Sequence, residues 1–146
     1  MKTVIQRVKK ASVTIDEKLY SSIDNGLLIL YGVEKNDTED FSKYLCEKIL
    51  KLRIFEDENQ KMNLSVKDIN GEILIVSQFT LAGDTRKGTR PSFDTAMPPK
   101  EAETMYENFV KMMKDSGLTV KTGVFGAMMD VALINDGPVT FILEKH

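Results

Sequence analysis

Three short stretches carry the residue types that chemistry needs: Ser77-Gln78-Phe79-Thr80, the run from Arg86 to Phe93, and the run from Asn135 to Thr140. The first offers two hydroxyls and an amide just after the β-branched run "EILIV". A strand end beside a loop is a common place for a site. A hydroxyl becomes a nucleophile only beside a base. The one histidine is His146, the last residue, and a chain terminus holds a catalytic base poorly. Ser-His and Cys-His pairs are therefore not expected. Cys46 is the only cysteine, so no intrachain disulfide or cysteine-cluster metal site can form. The carboxylates show no ligand spacing, so neither a metal nor a cofactor is expected. On residue types alone, the polar side chains of this stretch finish a strand and Phe79 belongs to the core.

The second stretch, "RKGTRPSF", sets Arg86, Lys87 and Arg90 within five residues around Gly88. Such a loop can hold phosphates without reading bases. The competing reading is a solvated surface loop. The third, "NDGPVT", reads as the end of one strand, a turn, and the start of another. Pro138 has no N–H for a sheet ladder. A Gly-Pro bond can be cis for about 0.5–1 kcal/mol, although the trans form is commoner. A fourth stretch, "GVFGAMM", pairs Gly123 with Gly126. It suits either close approach of backbone to a ligand or a bulged strand. Met105, Met112, Met113, Met128 and Met129 read as core, and Cys46 as a packing residue. Glu56, Asp57 and Glu58 read as a solvated polar turn.

These stretches need a scaffold, and 146 residues suit one domain spanning 1–146. The 42% hydrophobic and 29% charged composition is that of a globular protein. A net charge of -2 argues against broad nucleic-acid affinity, so any such contact must come from a local patch. No apolar run approaches the ~20 residues of a membrane span. The opening "MKTVIQRVKKASV" alternates like a strand and lacks the apolar core of a signal peptide. A cytoplasmic protein without membrane contact is the expectation.

Val4, Val8, Val13 and Ile15 are the inward candidates of that first strand. "KLYSSI" suits a short second strand, and "LLILYGV", after the Asp24-Asn25-Gly26 turn, a buried third. Phe41, Leu45, Ile49 and Leu52 recur at helical spacing, which predicts an amphipathic helix over about 38 to 53, capped by Asp37 or Thr38. Residues 82 to 98 show no period and form a long loop. Pro98-Pro99 opens a second helix to about 115, with Ala102, Met105, Phe109 and Met112 as its stripe and Gly117 at its end. "LTVKTG", "AMMDVALI" and "PVTFILEK" suit three more strands. The expected fold is α+β: a mostly antiparallel sheet, barrel-like or two-layered, with two amphipathic helices.

Taken in order, "IQRVKKASV", "EKILKLRIF", "KMNLSV", "SQFTL", "DTRKGTRPSF", "GVFGAMM" and "NDGPVT" resemble the D-aminoacyl-tRNA deacylases, chiral proofreading hydrolases of translation. "SQFT" and "GPVT" match the family's signature motifs. Ala82 departs from it, standing where an aromatic residue is expected. The resemblance implies a homodimer that cleaves the ester between a D-amino acid and the terminal ribose of tRNA. It implies that a cis Gly137-Pro138 crosses into the partner's pocket as a stereochemical gate, supported by Arg7. Ser77, Gln78, Phe79 and Thr80 become the catalytic stretch, with backbone N–H groups near Phe79 and Thr80 as an oxyanion hole and Thr80 orienting rather than attacking. The substrate's ribose 2′-hydroxyl would assist the attacking water, and Arg86, Lys87 and Arg90 would contact the tRNA. Glycyl-tRNA should also be cleaved. Two rivals stand beside this reading: a hydrolase of another small ester, and a non-catalytic nucleic-acid-binding protein of the same fold.

Overall fold

A computed structural model describes all residues from Met1 to His146. The chain runs through β1 (Lys2–Ile15), β2 (Lys18–Ile23), β3 (Gly26–Gly32), α1 (Glu39–Lys51), β4 (Phe55–Glu56), β5 (Met62–Leu64), β6 (Glu72–Ser77), a short 3-10 helix (Phe79–Ala82), α2 (Pro99–Lys114), β7 (Val120–Thr122) and β8 (Asp130–Glu144). The α+β class holds, and four of the six strand pairings are antiparallel.

The long strand β1 organises the sheet. Its first half pairs with β3 and its second half with β2, while β8 lies along it for nearly its whole length. β6 then adds parallel to β3, and β7 parallel to β6. Parallel neighbours need a crossover, and each helix sits in one: α1 between β3 and β6, α2 between β6 and β7. The sequence pattern did not reveal these two crossovers. The sheet curls until Ser21 of β2 donates its hydroxyl to the Thr122 carbonyl of β7 at 2.7 Å, which gives the barrel-like shape.

β3 and β6 are buried on both faces, which explains their unbroken apolar runs. Leu27, Ile29, Tyr31, Ile73 and Ile75 join the helices in the larger core. Leu28, Leu74 and Val76 face the other way, against Val8, Ala11, Val13 and Ile23. In β1, Val8 and Val13 are buried as expected, but Val4 and Ile15 are only partly so, and Ile5 takes the inward place. The phase changes where the β1–β8 register slips near Val8.

Thr38 is the N-cap of α1, without a side-chain capping bond. Asp37 instead accepts the Glu34 N–H at 2.6 Å. Of the predicted stripes, Leu45, Ile49, Met105 and Phe109 are fully inside, joined by Cys46, Tyr106, Val110 and Met113. Burial pushes the Cys46 thiol up to about 11, and the nearby Glu47 and Asp115 charges act in the same direction. The folded thiol therefore stays neutral while the unfolded one ionises near its ordinary 9.0. Its stabilising contribution is complete below about pH 9 and is lost as the pH rises towards 11. A urea series across that range should show a falling midpoint that Cys46→Ala flattens.

One expectation fails. Residues 130–144 form a single strand rather than two strands joined at "NDGP". Gln6 pairs with Thr140 and Val8 with Asn135, so Asp136 to Val139 all stand opposite Arg7 alone. The extra residues bow out as a bulge because β1 continues as a template on both sides.

Candidate active site

β6 ends at Ser77, and the chain turns at once into the 3-10 helix that begins at Phe79. The first N–H groups of a helix have no acceptor within it, so the amides of Phe79 and Thr80 open this turn. Its backbone bonding begins with Leu81 N–H to the Gln78 carbonyl at 3.2 Å. Gln78 Nε2 donates to Thr80 Oγ1 at 2.5 Å, so the two side chains hold one another. No histidine lies here. Phe79, expected in the core, is 61% exposed. Its ring tilts against Phe93 with centroids 5.1 Å apart.

This strand end opens into a cavity of about 780 Å³. Ser77, Gln78, Phe79 and Thr80 form one wall, and Phe93, Met97 and Pro98 a second. Phe125, Gly126, Met128 and Met129 form the third. The expectation that Met128 is core is overturned, since it is 90% exposed, whereas Met129 is half-buried and packs on the smaller core; both face this cavity. They escaped the sequence reading because apolar residues beside glycines look alike in a core and in an apolar pocket wall.

The cationic loop borders the cavity. It is anchored by the Glu34–Ala96 and Asp84–Ser92 bridges. Ala82 is buried, and its carbonyl accepts the Thr95 hydroxyl at 2.9 Å, so the small side chain sits in a braced turn. None of Arg86, Lys87 and Arg90 lines the cavity. Arg86 is tied back to Asp84, with Nε to Oδ1 at 2.9 Å and Nη2 to Oδ2 at 2.6 Å. This pairing holds the Asp84 carboxyl well below the usual range. Lys87 and Arg90 are exposed and make no ion pair.

Gly137 and Pro138 lie elsewhere on the chain. Their peptide bond is cis, both residues are exposed, and neither lines the cavity. The bulge that carries them is braced from two sides. Arg7 is 5% exposed and donates Nε to the Asp136 carbonyl at 2.8 Å and Nη1 to the Ile54 carbonyl at 2.7 Å. Its guanidinium also lies 3.3 Å from the Asp136 carboxylate and 3.7 Å from that of Glu56. Asn135, which the sequence reading passed over, donates Nδ2 to the carbonyls of Arg7 (3.1 Å) and Val139 (2.9 Å). A Cβ on Gly137 would overlap the Asn135 Oδ1, so the glycine fits this cradle. The polar turn after β4 is not wholly solvated either. Glu56 faces Arg7, and Asp57 accepts the N–H groups of Asn59 and Lys61 and the Asn63 amide. No group of three or more His, Cys, Asp or Glu is arranged to hold a metal ion.

A curled sheet, an apolar cavity walled by a hydroxyl-and-amide strand end, and a cationic loop at its border give an α+β protein with one ligand-sized site at a strand end. Comparison with known proteins gives the family. The family model for D-Tyr-tRNA(Tyr) deacylase matches residues 4–144, and the chain belongs to that family. It is 58% identical to a D-aminoacyl-tRNA deacylase of Thermosipho africanus (strain TCF52B), covering 99% of this chain and 97% of that protein. It is 55% identical to a D-aminoacyl-tRNA deacylase of Exiguobacterium sp. (strain ATCC BAA-1283 / AT1b), covering 100% and 99%. Among solved structures, the c-Myc DNA Unwinding Element Binding Protein superposes with a TM-score of 0.94 at 44% identity, covering 100% of this chain and 99% of that one.

Proposed function

We propose that this protein hydrolyses D-aminoacyl-tRNA to free D-amino acid and tRNA, working in the cytoplasm. The observation that carries the reading is the cavity at the Ser77–Thr80 strand end, which offers backbone donors and hydroxyls but no general base. An aminoacyl ester is already activated, so modest assistance suffices. Water attacks the ester carbonyl carbon, and the resulting oxyanion is met by the amides of Phe79 and Thr80. The bond to the ribose oxygen then breaks, and that oxygen leaves with a proton. The neighbouring 2′-hydroxyl of the substrate orients the water, which also restricts the reaction to RNA. Thr80, whose Oγ1 already accepts from Gln78, orients the ester. A folded Thr80→Ala protein should keep much of the rate.

Gly137 and Pro138 act as the gate. D and L esters carry identical functional groups, so only shape at the α-carbon separates them, and exclusion is the available device. Because these residues stand outside their own chain's cavity, the reading requires a homodimer in which each copy supplies the other's gate. Two further observations favour it. β8 pairs only with β1, so the outer edge of a 15-residue strand has no partner. Leu133, Ile134, Phe141 and Ile142 on the same strand are exposed. Long apolar edges of this kind are normally covered. Lys87 and Arg90, free of ion pairs, are the first choices for phosphate contacts along the acceptor end, with Arg86 joining once released from Asp84.

The deciding experiment compares D-tyrosyl-, L-tyrosyl- and glycyl-tRNA with purified protein and added chelator. Loss of the D and glycyl esters, with the L ester intact, is the expected result. Loss of both chiral forms would keep a hydrolase and remove the gate. The likeness to the c-Myc DNA Unwinding Element Binding Protein favours one alternative, a nucleic-acid-binding protein without turnover. Tight duplex DNA binding with all three esters intact would establish it.

A further inference from the structure

The third wall of the cavity is the turn from Gly123 to Met129, and its two ends are held differently. At the first, Gly123 N–H donates to the Ile75 carbonyl at 3.1 Å, and the same carbonyl accepts the Tyr106 hydroxyl at 2.8 Å. Tyr106 in turn packs on Phe125, with ring centroids 5.9 Å apart. At the other end there is a sulfur. Val124 N–H donates to Met129 Sδ at 3.4 Å, across five residues. The thioether lies directly over Gly123, where an added Cβ would stand 2.6 Å from Sδ and 3.5 Å from Cε. Gly126 completes the turn at φ +74°, with open space around it.

We propose that Met129 is a positioning residue: its thioether latches the Gly123–Met129 turn and so sets the width of the cavity. The inference rests on the reading that this cavity receives the aminoacyl end of the substrate. Gly123 is the other half of the device, because only a residue without a side chain lets the sulfur reach the Val124 amide. The Met129 side chain also packs on the smaller core, so the latch ties the cavity wall to the inside of the sheet. A latch that shapes the wall without touching the reacting ester acts on binding rather than on the bond-breaking step. Loss of it should raise KM and leave kcat almost unchanged.

Three variants test this: Met129→Leu, Gly123→Ala, and the two combined. Leucine keeps the apolar bulk but cannot accept the N–H, so folding is retained. In Gly123→Ala the new methyl meets the far end of a flexible side chain, which swings away and releases the amide. Each single variant should raise KM for D-tyrosyl-tRNA by about tenfold with kcat nearly constant. Both should speed hydrogen exchange at the Val124 amide. The double variant should resemble either single one, because both remove the same latch. An unchanged KM in folded Met129→Leu, or a double variant whose loss is the product of the singles, overturns the proposal. If the wild-type protein leaves D-tyrosyl-tRNA intact, the deacylase reading fails separately. Val124 exchange then decides the latch, with fast exchange in the variants supporting it and equal exchange overturning it.

Discussion

Arg7→Ala should erase most of the preference for D over L esters while leaving a folded but weakened protein. Arg7 is the one residue of β1 that stands opposite the four-residue bulge, and its guanidinium holds the Asp136 carbonyl directly. Removing it leaves the Ile54 and Asp136 carbonyls without their donors. At about 1–3 kcal/mol for each buried polar group left unpaired, the loss of stability is on the order of 3 kcal/mol. The Glu56 and Asp136 carboxylates are half-open to water and add little to that figure. The larger effect is on geometry. A misplacement of about 1 Å can change a relative rate about a hundredfold, and Gly137 and Pro138 follow Asp136 directly. The ratio of kcat/KM for D- over L-tyrosyl-tRNA should therefore fall by up to about a hundredfold. Arg7→Lys should recover only part of it, because an ammonium cannot span both carbonyls with the fixed fork of a guanidinium. Kinetics at a temperature well below each variant's unfolding midpoint separates the geometric loss from the loss of stability. A D/L ratio within about twofold of wild type in Arg7→Ala would remove the brace from the account.

Phe109→Ala should produce the largest loss of stability of any single truncation in α2. The side chain is fully buried and stacks on Tyr31 with ring centroids 4.4 Å apart and planes at 19°. It joins α2 to β3 at the centre of the larger core. Truncation of a buried phenylalanine costs about 3–5 kcal/mol through lost transfer energy and the cavity left behind. Domains of this kind have about 5–15 kcal/mol in total, so a large share disappears. Urea unfolding should show a much lower midpoint with an unchanged slope. A cost under about 1 kcal/mol would mean that the sheet and α2 close over the gap left by the Tyr31–Phe109 stack.

The helices, β3, β6 and the long loop were legible because each carries a local signature: a helical stripe, a doubly buried apolar run, or no period at all. The residues that failed did so for identifiable reasons. Val4 exchanged places with Ile5 because strand phase depends on where a bulge falls, and that is fixed by the partner strand. "NDGP" reads as a turn because its local preferences are those of a turn. β1, more than a hundred residues away in sequence, overrides them by continuing to pair on both sides. The parallel pairings of β6 were hidden because pairing order is a non-local property. Within the site, the polar stretch at Ser77–Thr80 stood out by residue type. The opposite wall did not, since Phe125, Met128 and Met129 differ from core residues only in where they end up. Asn135 was invisible for another reason: its amide does its bracing within a turn-like sequence that already accounts for an asparagine.

The bulge opposite Arg7 sits midway along a strand whose outer edge is unpaired. Under the two-copy arrangement, stereochemical fidelity and subunit assembly are therefore one inherited trait rather than two. A substitution among the exposed apolar residues of β8 would register as a lapse in chirality before it registered as a lapse in folding. Fidelity per molecule would also decline on dilution, as pairs come apart. Under the same arrangement, a descendant that lived as a single copy would keep its fold and lose its sense of hand.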